Sequence, residues 1–289
     1  MVIVKLKGGL GNQMFQYALG RRISLINKVA LKLDIEWFEN VGNDTSREYE
    51  LKHLKIYEQF ASKEEIKRLY KETGLIRNFR RLIPFNRRSY INERTSSFDP
   101  AIINLRDNVY LDGVWANEKY FLDIKELIRE EFELRNQSNE VNLKMTEQIG
   151  SVNSVAVHIR RGDYVSNPIA NRYHGLCSIE YYLHAVSEIA KKLKDPHFFL
   201  FSDDPQWVKD NLRIAYPIVY VDHNGPEQGH EDLKLMKICK HNIIANSSFS
   251  WWGAWLNSNL DKIIYAPSRW SNNRPGNNND CVPQAWISL

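Results

Sequence analysis

The sequence predicts an α/β protein made of two parallel-sheet domains, and three observations carry that reading. In the C-terminal half, short β-rich apolar runs alternate with helical patterns without interruption. The N-terminal half opens in the same way, with a strand, a glycine-rich turn, a helix and a second strand. Between the halves lies a polar stretch, RNQSNEVN (135–142), with the composition of a linker. Strands that alternate with helices are joined by crossovers, which make the strands parallel and cover the sheet with helices. A chain of 289 residues, 43% hydrophobic with eight tryptophans, is long enough and apolar enough to core two such domains. The boundaries are set at 1–150 and 151–289, with a cleft between the domains.

The elements follow in order. VIVKL at the N-terminus reads as a strand, GGLGN as a turn, Gln13–Asn27 as an amphipathic helix and VALKL as the next strand. The stretch 62–94 reads as helical and basic, VYLDGVW (109–115) as a strand and 118–135 as a charged helix. In the second half the strands are VAVHI (155–159), FFLFS (198–202), PIVYV (217–221), NIIAN (242–246) and KIIYA (262–266). Helices are expected near 178–192, 204–212, 229–239 and 248–257. Asp204 before Pro205 is the pattern of an N-cap followed by a proline in the first turn.

Composition narrows the function. A formal net charge of +4 is too small an excess to point to nucleic acid. Cys177, Cys239 and Cys281 are odd in number and widely spaced, which fits neither a disulfide framework nor a zinc site and favours a reducing compartment. MVIVKLKGGLGNQ lacks the layout of a signal peptide, and no run approaches the length of a membrane span. The expected location is the cytoplasm. The basic, aromatic-interleaved segment 77–94 is either a solvated helical face or a contact with anionic lipid at the inner face of the cytoplasmic membrane.

In open parallel sheets, ligands bind outside the carboxyl ends of the strands, so the residues just after each strand are the site candidates. KGGLGNQ (7–13) places glycines between a strand and a helix. It matches neither G-x-G-x-x-G nor a P-loop, because position 14 is Met14 and no G-K-[ST] follows. It is either a tight turn or a ligand loop, with Asn12 and Gln13 offering neutral hydrogen-bonding groups. HIRRGD (158–163) ends a strand with Arg160 and Arg161. They are solvated and paired with Asp163, or they bind a pyrophosphate as bidentate forks. In FSDDP (201–205), one carboxylate is expected to cap the following helix and the other to face a ligand. In NSSFSWWGAW (246–255), hydroxyls and amides at a helix start suit phosphate, while the tryptophans suit packing. His223 follows a strand and is assigned a structural or solvated role.

Taken together, KGGLGNQMFQYALG, VHIRRGDY, FSDDPQWVK and ANSSFSWWGAWLN resemble the bacterial α-1,2-fucosyltransferases of glycosyltransferase family 11, in the expected order and over most of the chain. The resemblance implies a GT-B-like fold of two Rossmann-type domains, an N-terminal one serving the acceptor and a C-terminal one binding GDP-fucose. It implies inverting transfer of L-fucose from GDP-β-L-fucose to the 2-hydroxyl of a terminal galactoside, on a free or lipid-linked acceptor, with no metal or other cofactor. Arg160 would hold the donor pyrophosphate. Asp203 and Asp204, with Ser202, would lie near the guanosine. Ser247, Ser248 and Ser250 would lie near the phosphates, and Phe249 near the nucleoside. Gly9, Gly11 and Arg161 join the donor-binding set, and Asn12 would face the reacting centre. Asp163 and His158 complete the catalytic set, and the general base is left open: Asp163 is a candidate, or it is simply paired to Arg161 while His158 pins the loop, or the reaction is weakly base-assisted with late proton loss.

Overall fold

The computed structural model describes residues 1–39, 47–70, 84–272 and 280–289. The chain divides into two compact units, Met1–Arg135 and Asn136–Leu289.

In the first unit, β1 (Val2–Lys5), β2 (Leu31–Asp34), β3 (Tyr90–Asn92) and β4 (Val109–Asp112) form an all-parallel sheet in the order β2-β1-β4-β3. Val2 and Val4 are fully buried on one face, against the helix α1 (Leu10–Ile26), which is itself buried along most of its length. The approach is close at Gly20, where a Cβ would lie 2.2 Å from Val4 Cγ2 and 3.0 Å from Leu31 Cδ1. Gly20→Ala is therefore expected to force α1 off the sheet and cost about 1–3 kcal/mol, read as a lower midpoint in urea with the slope unchanged. Gly8 precedes α1 with φ +75°, a left-handed conformation that favours glycine.

Two expectations for this unit need correction. Within 62–94 only Lys63–Tyr70 is α-helix before the segment 71–83, which lies outside the described residues. After it come a single 3-10 turn, Phe85–Arg87, and the strand β3. Three residues are too few to show an alternating pattern, so β3 left no legible signal. The span 118–135 is also not one helix. It forms 3-10 turns at Glu118–Tyr120 and Leu122–Ile124, and α-helix only at Lys125–Glu131. Tyr120 and Phe121 are drawn into the core, and the backbone of Phe121 (φ −146°, ψ 11°) leaves helical geometry to allow it.

The second unit holds β5 (Asn153–Ile159), β6 (Pro196–Ser202), β7 (Ile218–Val221), β8 (His241–Ile243), β9 (Ile264–Ala266) and β10 (Ile287–Ser288). They make one parallel sheet in the order β10-β9-β8-β5-β6-β7. Counted from β5, this is the 3-2-1-4-5-6 order of a doubly wound dinucleotide-type sheet. Val155, Val157 and Ile159 face one side and pack with Phe198 and Leu200 on the helix Ile179–Ala190. His158, at alternate register, faces the other side.

The four helices expected in this half are present, at Ile179–Ala190, Pro205–Asn211, Gly229–Ile238 and Ser248–Leu256. Two short helices after β5, Gly162–Ser166 and Pro168–His174, were not anticipated. The polar stretch 135–142 begins at the division between the units, but its end is structural. Asn139 caps the helix Glu140–Gly150 by accepting from the Asn142 amide (2.9 Å). That helix belongs to the second unit, so the division falls at 135/136 rather than at 150/151.

Candidate active site

In the second sheet the strand order reverses between β5 and β8. The crevice outside their carboxyl ends is where this architecture binds ligands. β5 delivers His158, Arg160 and Arg161 to it, β6 delivers Ser202, Asp203 and Asp204, and β8 leads into 246–250.

Arg160 is held from two sides. Its Nη2 donates to Asp163 Oδ1 (2.5 Å), and its Nη1 pairs with Asp203 Oδ2 (2.7 Å). Its guanidinium also lies 5.3 Å from the centre of the Tyr164 ring. Burial alone would lower its pKa, but the Asp203 and Asp163 carboxylates reverse that and hold the charge firmly on. Asp203 bridges further, because its Oδ1 accepts from the Arg161 amide (2.8 Å). Gly162 makes room for it: a Cβ there would sit 2.4 Å from Asp203 Oδ2.

Arg161 does not pair with Asp163, which corrects that expectation. It reaches Asp204 Oδ2 (3.1 Å) and lies over Trp207, 3.6 Å from the ring centre. Asp204 also caps the next helix by accepting from the Trp207 amide, and its own amide donates to Ser202 Oγ (3.0 Å). The expected division of FSDDP is half met. Asp204 is the cap, while Asp203 is an arginine partner.

His158 is 5% exposed, and its Nδ1 has no hydrogen-bond partner among the described residues. Burial, reinforced by the nearby Arg160 charge, pushes its pKa down to about 3. The ring is therefore neutral at working pH, and it packs 5.6 Å from the Phe249 ring. Between pH 6.5 and about 3 the unfolded chain binds a proton at this histidine that the folded chain refuses. Stability is thus lost as pH falls through that window. His158→Asn should flatten the acid side of the stability–pH curve from 6.5 downwards in urea titrations.

At the end of β8, Asn246 acts as a clasp. Its Nδ2 donates to the carbonyls of His174 (3.0 Å), Gly175 (3.2 Å) and Trp270 (3.3 Å), and its carbonyl accepts from Tyr164 Oη (3.3 Å). The His174 ring stacks on Tyr164 at 4.5 Å, nearly parallel. The clasp ties the segment after β5 to the segment after β8. Its members Tyr164 and His174 went unnoticed in the sequence, since their partners lie far away along the chain. Ser247 is the N-cap residue of the helix Ser248–Leu256, and Ser248 and Phe249 are half-buried at its start. Ser250 is fully buried, and its hydroxyl donates to the Ser247 carbonyl (3.4 Å), so it faces inward rather than to a ligand. Trp251, Trp252 and Trp255 pack in the core as expected. His223 is structural: its Nε2 meets Asn142 Oδ1 at 2.9 Å in a network with Asn224 and Asp232.

The first unit has its own reversal, between β1 and β4. Gly9 is the N-cap of α1, and its carbonyl accepts from the Asn12 (3.0 Å) and Gln13 (3.2 Å) amides. Gly11 is buried in the first turn. Asn12 is half-buried and lies against Gly8, whose Cβ would meet its Nδ2 at 2.9 Å. Gln13 is fully buried and structural, contrary to expectation. Its Nε2 donates to the carbonyls of Gly8 and Glu48 (both 2.8 Å), and its Oε1 accepts from the Glu50 amide (2.9 Å). Asp112, at the end of β4, binds Lys7 (2.8 Å), Lys5 (3.5 Å) and Tyr90 Oη (3.1 Å). Burial would raise its pKa, but the lysines and Tyr90 outweigh burial and hold it low.

Among the described residues, no group of three or more His, Cys, Asp or Glu side chains is placed to hold a metal ion. Asp203 and Asp204 are each engaged by an arginine. No described helix is long and apolar enough to cross a membrane.

The comparisons with known proteins agree with this frame. The model of glycosyl transferase family 11 matches residues 1–289. The chain is a family 11 glycosyltransferase. This family 11 glycosyltransferase is 36% identical to an α-1,2-colitosyltransferase of Escherichia coli, over 100% of the chain and 99% of that protein. It is 33% identical to the O-antigen biosynthesis glycosyltransferase WbnK of Escherichia coli, over 98% and 99% respectively. In structure it is similar to NodZ α-1,6-fucosyltransferase of Bradyrhizobium soaked with GDP-fucose, with a TM-score of 0.50 and 14% identity, covering 88% of this chain and 91% of that one. That likeness concerns the fold alone, which for this family 11 glycosyltransferase is α/β with parallel sheets, GT-B-like.

Proposed function

We propose that the protein transfers L-fucose from GDP-β-L-fucose to the 2-hydroxyl of a terminal galactoside, with inversion to an α-linkage, in the synthesis of an O-antigen or another surface glycan. The observation that carries this reading is Arg160, fixed by two carboxylates at the switch point of a doubly wound sheet. As the donor bond breaks, negative charge builds on GDP. A guanidinium already oriented needs little reorganisation to meet that charge, and it does so in place of a metal. Asp163 and Asp203 use two of its five N–H groups, which leaves the rest of the fork for phosphate oxygens. The neutral His158 and Phe249 form an apolar wall beside it.

In this reading the second unit binds the donor and the first unit the acceptor. The part of the basic segment at 84–94 would lie by a lipid-linked acceptor at the membrane surface, while 77–83 lies outside the described residues. A second donor is favoured by a specific observation. The colitosyltransferase relative matches end to end, and colitose is the 3-deoxy analogue of fucose. The test offers GDP-fucose and GDP-colitose separately with lactose or N-acetyllactosamine, in EDTA, with products read by mass spectrometry and linkage analysis. An α-1,2-fucosylated product in EDTA is expected. Transfer of colitose alone would replace the donor, and dependence on added metal would overturn the role given to Arg160.

A further inference from the structure

Two carboxylates alone would leave the Arg160 guanidinium incompletely fixed. Asp163 holds Nη2 and Asp203 holds Nη1, and two points leave a plane free to tilt about the line that joins them. Tilt matters because a guanidinium meets a phosphate edge-on, through coplanar N–H bonds. A third carboxylate could stop the tilt, but it would add negative charge where a diphosphate has to bind. An aromatic face attracts a cation through its quadrupole and adds no net charge.

Tyr164 supplies that face. The Arg160 guanidinium carbon lies over its ring, 5.3 Å from the centre. The residue is 8% exposed, so water screens the attraction little. Tyr164 is itself fixed in three ways. Its Oη donates to the Asn246 carbonyl (3.3 Å), its backbone carbonyl accepts from Asn171 Nδ2 (2.6 Å), and the His174 ring stacks on it at 4.5 Å with 3° between the planes. His174 is anchored in turn, since Asn246 Nδ2 holds its carbonyl (3.0 Å). Burial raises the Tyr164 pKa, so the ring meets the cation as a neutral phenol. Burial also lowers the His174 pKa against the pull of Asp163, so no second cation backs the ring. All of these residues belong to the second unit.

Resting on the transfer reaction proposed above, we infer that Tyr164 is a positioning residue: its ring, held by the Asn246–His174 clasp, sets the plane in which Arg160 presents its remaining N–H groups to the diphosphate of the departing nucleotide. In this role Tyr164 acts through Arg160 rather than on the substrate. The contribution is largest when the charge on GDP is largest, so it belongs to turnover more than to nucleotide binding. The hydroxyl serves as an anchor, and the π face does the holding.

The test compares Tyr164→Leu, Tyr164→Phe and a series of mono-, di- and trifluorinated phenylalanines placed at position 164 by nonsense suppression. Fluorine draws charge from the ring face and leaves its shape nearly unchanged, so a role in packing alone is insensitive to the series. With GDP-fucose and lactose, Tyr164→Leu keeps the bulk, gives up the face and should lose roughly 3–30-fold in kcat. Tyr164→Phe keeps the face, gives up the Asn246 bond and should restore most of that turnover. From Phe onward, log kcat should fall stepwise with each fluorine, to about the level of Tyr164→Leu. The KM for GDP-fucose should stay within about twofold, and the urea midpoint should stay near that of the Phe variant. Equal kcat across the fluorinated series overturns the assignment, even where Tyr164→Leu fails to fold. So does a Phe variant as slow as the Leu variant, or a rise in KM with kcat unchanged. Wild-type enzyme in the same assay keeps the two questions apart. Absence of fucosyl transfer by wild type overturns the reaction and this role together, whereas transfer by wild type with a flat fluorine series overturns only the latter.

Discussion

Arg160→Lys is expected to lower kcat/KM for fucosyl transfer by about 10²–10³-fold, the range seen when one preorganised donor to a developing anion is removed. The charge survives in this variant, so the loss measures geometry. An ammonium is a point charge on a flexible stem and cannot present two coplanar N–H pairs. It can satisfy Asp163 or Asp203 at full strength but cannot reproduce both contacts (2.5 and 2.7 Å) and still meet a phosphate. Steady-state kinetics with GDP-fucose, beside GDP affinity by calorimetry, separate the two parts of the loss. A fall in kcat much larger than the fall in GDP affinity places the guanidinium on the departing charge. Near-full activity would remove Arg160 from that role.

Gly162→Ala should damage activity more than stability. The added methyl carbon would meet Asp203 Oδ2 at 2.4 Å, and that oxygen is the one bonded to Arg160 Nη1. The aspartate side chain can swing away cheaply, so the fold survives, but the bond to Arg160 goes with it. We expect a drop in kcat/KM of roughly 10–100-fold, corresponding to about 1.4–2.7 kcal/mol, with a change in folding stability below about 1 kcal/mol. The coupling can be isolated. In an Asp203→Ala background the added methyl has nothing to displace, so the double variant should be no worse than Asp203→Ala alone. Additive losses would mean that Gly162 matters for another reason.

Most strands of the two sheets were legible because burial is written with a short period; β3 and the two-residue edge strand β10 were not, being too short to show one. Runs such as SVAVHI and FFLFS leave little choice beyond a buried parallel strand, and their pairing in register over 153–159 and 196–202 follows from that. The Asp204–Pro205 signal located a helix start to the residue. What failed were features decided by tertiary partners. Arg161 appeared to have a local partner in Asp163, but its carboxylate is Asp204, supplied by the neighbouring strand. Ser250 looks like a phosphate ligand beside Ser247 and Ser248, yet one helical step turns it inward. Gln13 looks like a cleft residue and is instead a buried brace for the segment that carries Glu50. Nothing in KGGLGNQ announces that its turn is completed from 37 residues downstream.

The stacking of Arg161 on Trp207 gives the second unit an optical handle. A guanidinium 3.6 Å from an indole perturbs its excited state, and Trp207 is half-buried while Trp251, Trp252 and Trp255 sit in the core. A nucleotide that draws Arg161 toward its phosphates would change the emission of that one ring and leave the core rings as an internal reference. Titration with GDP can then be followed by intrinsic fluorescence without a label, and Trp207→Phe supplies the blank.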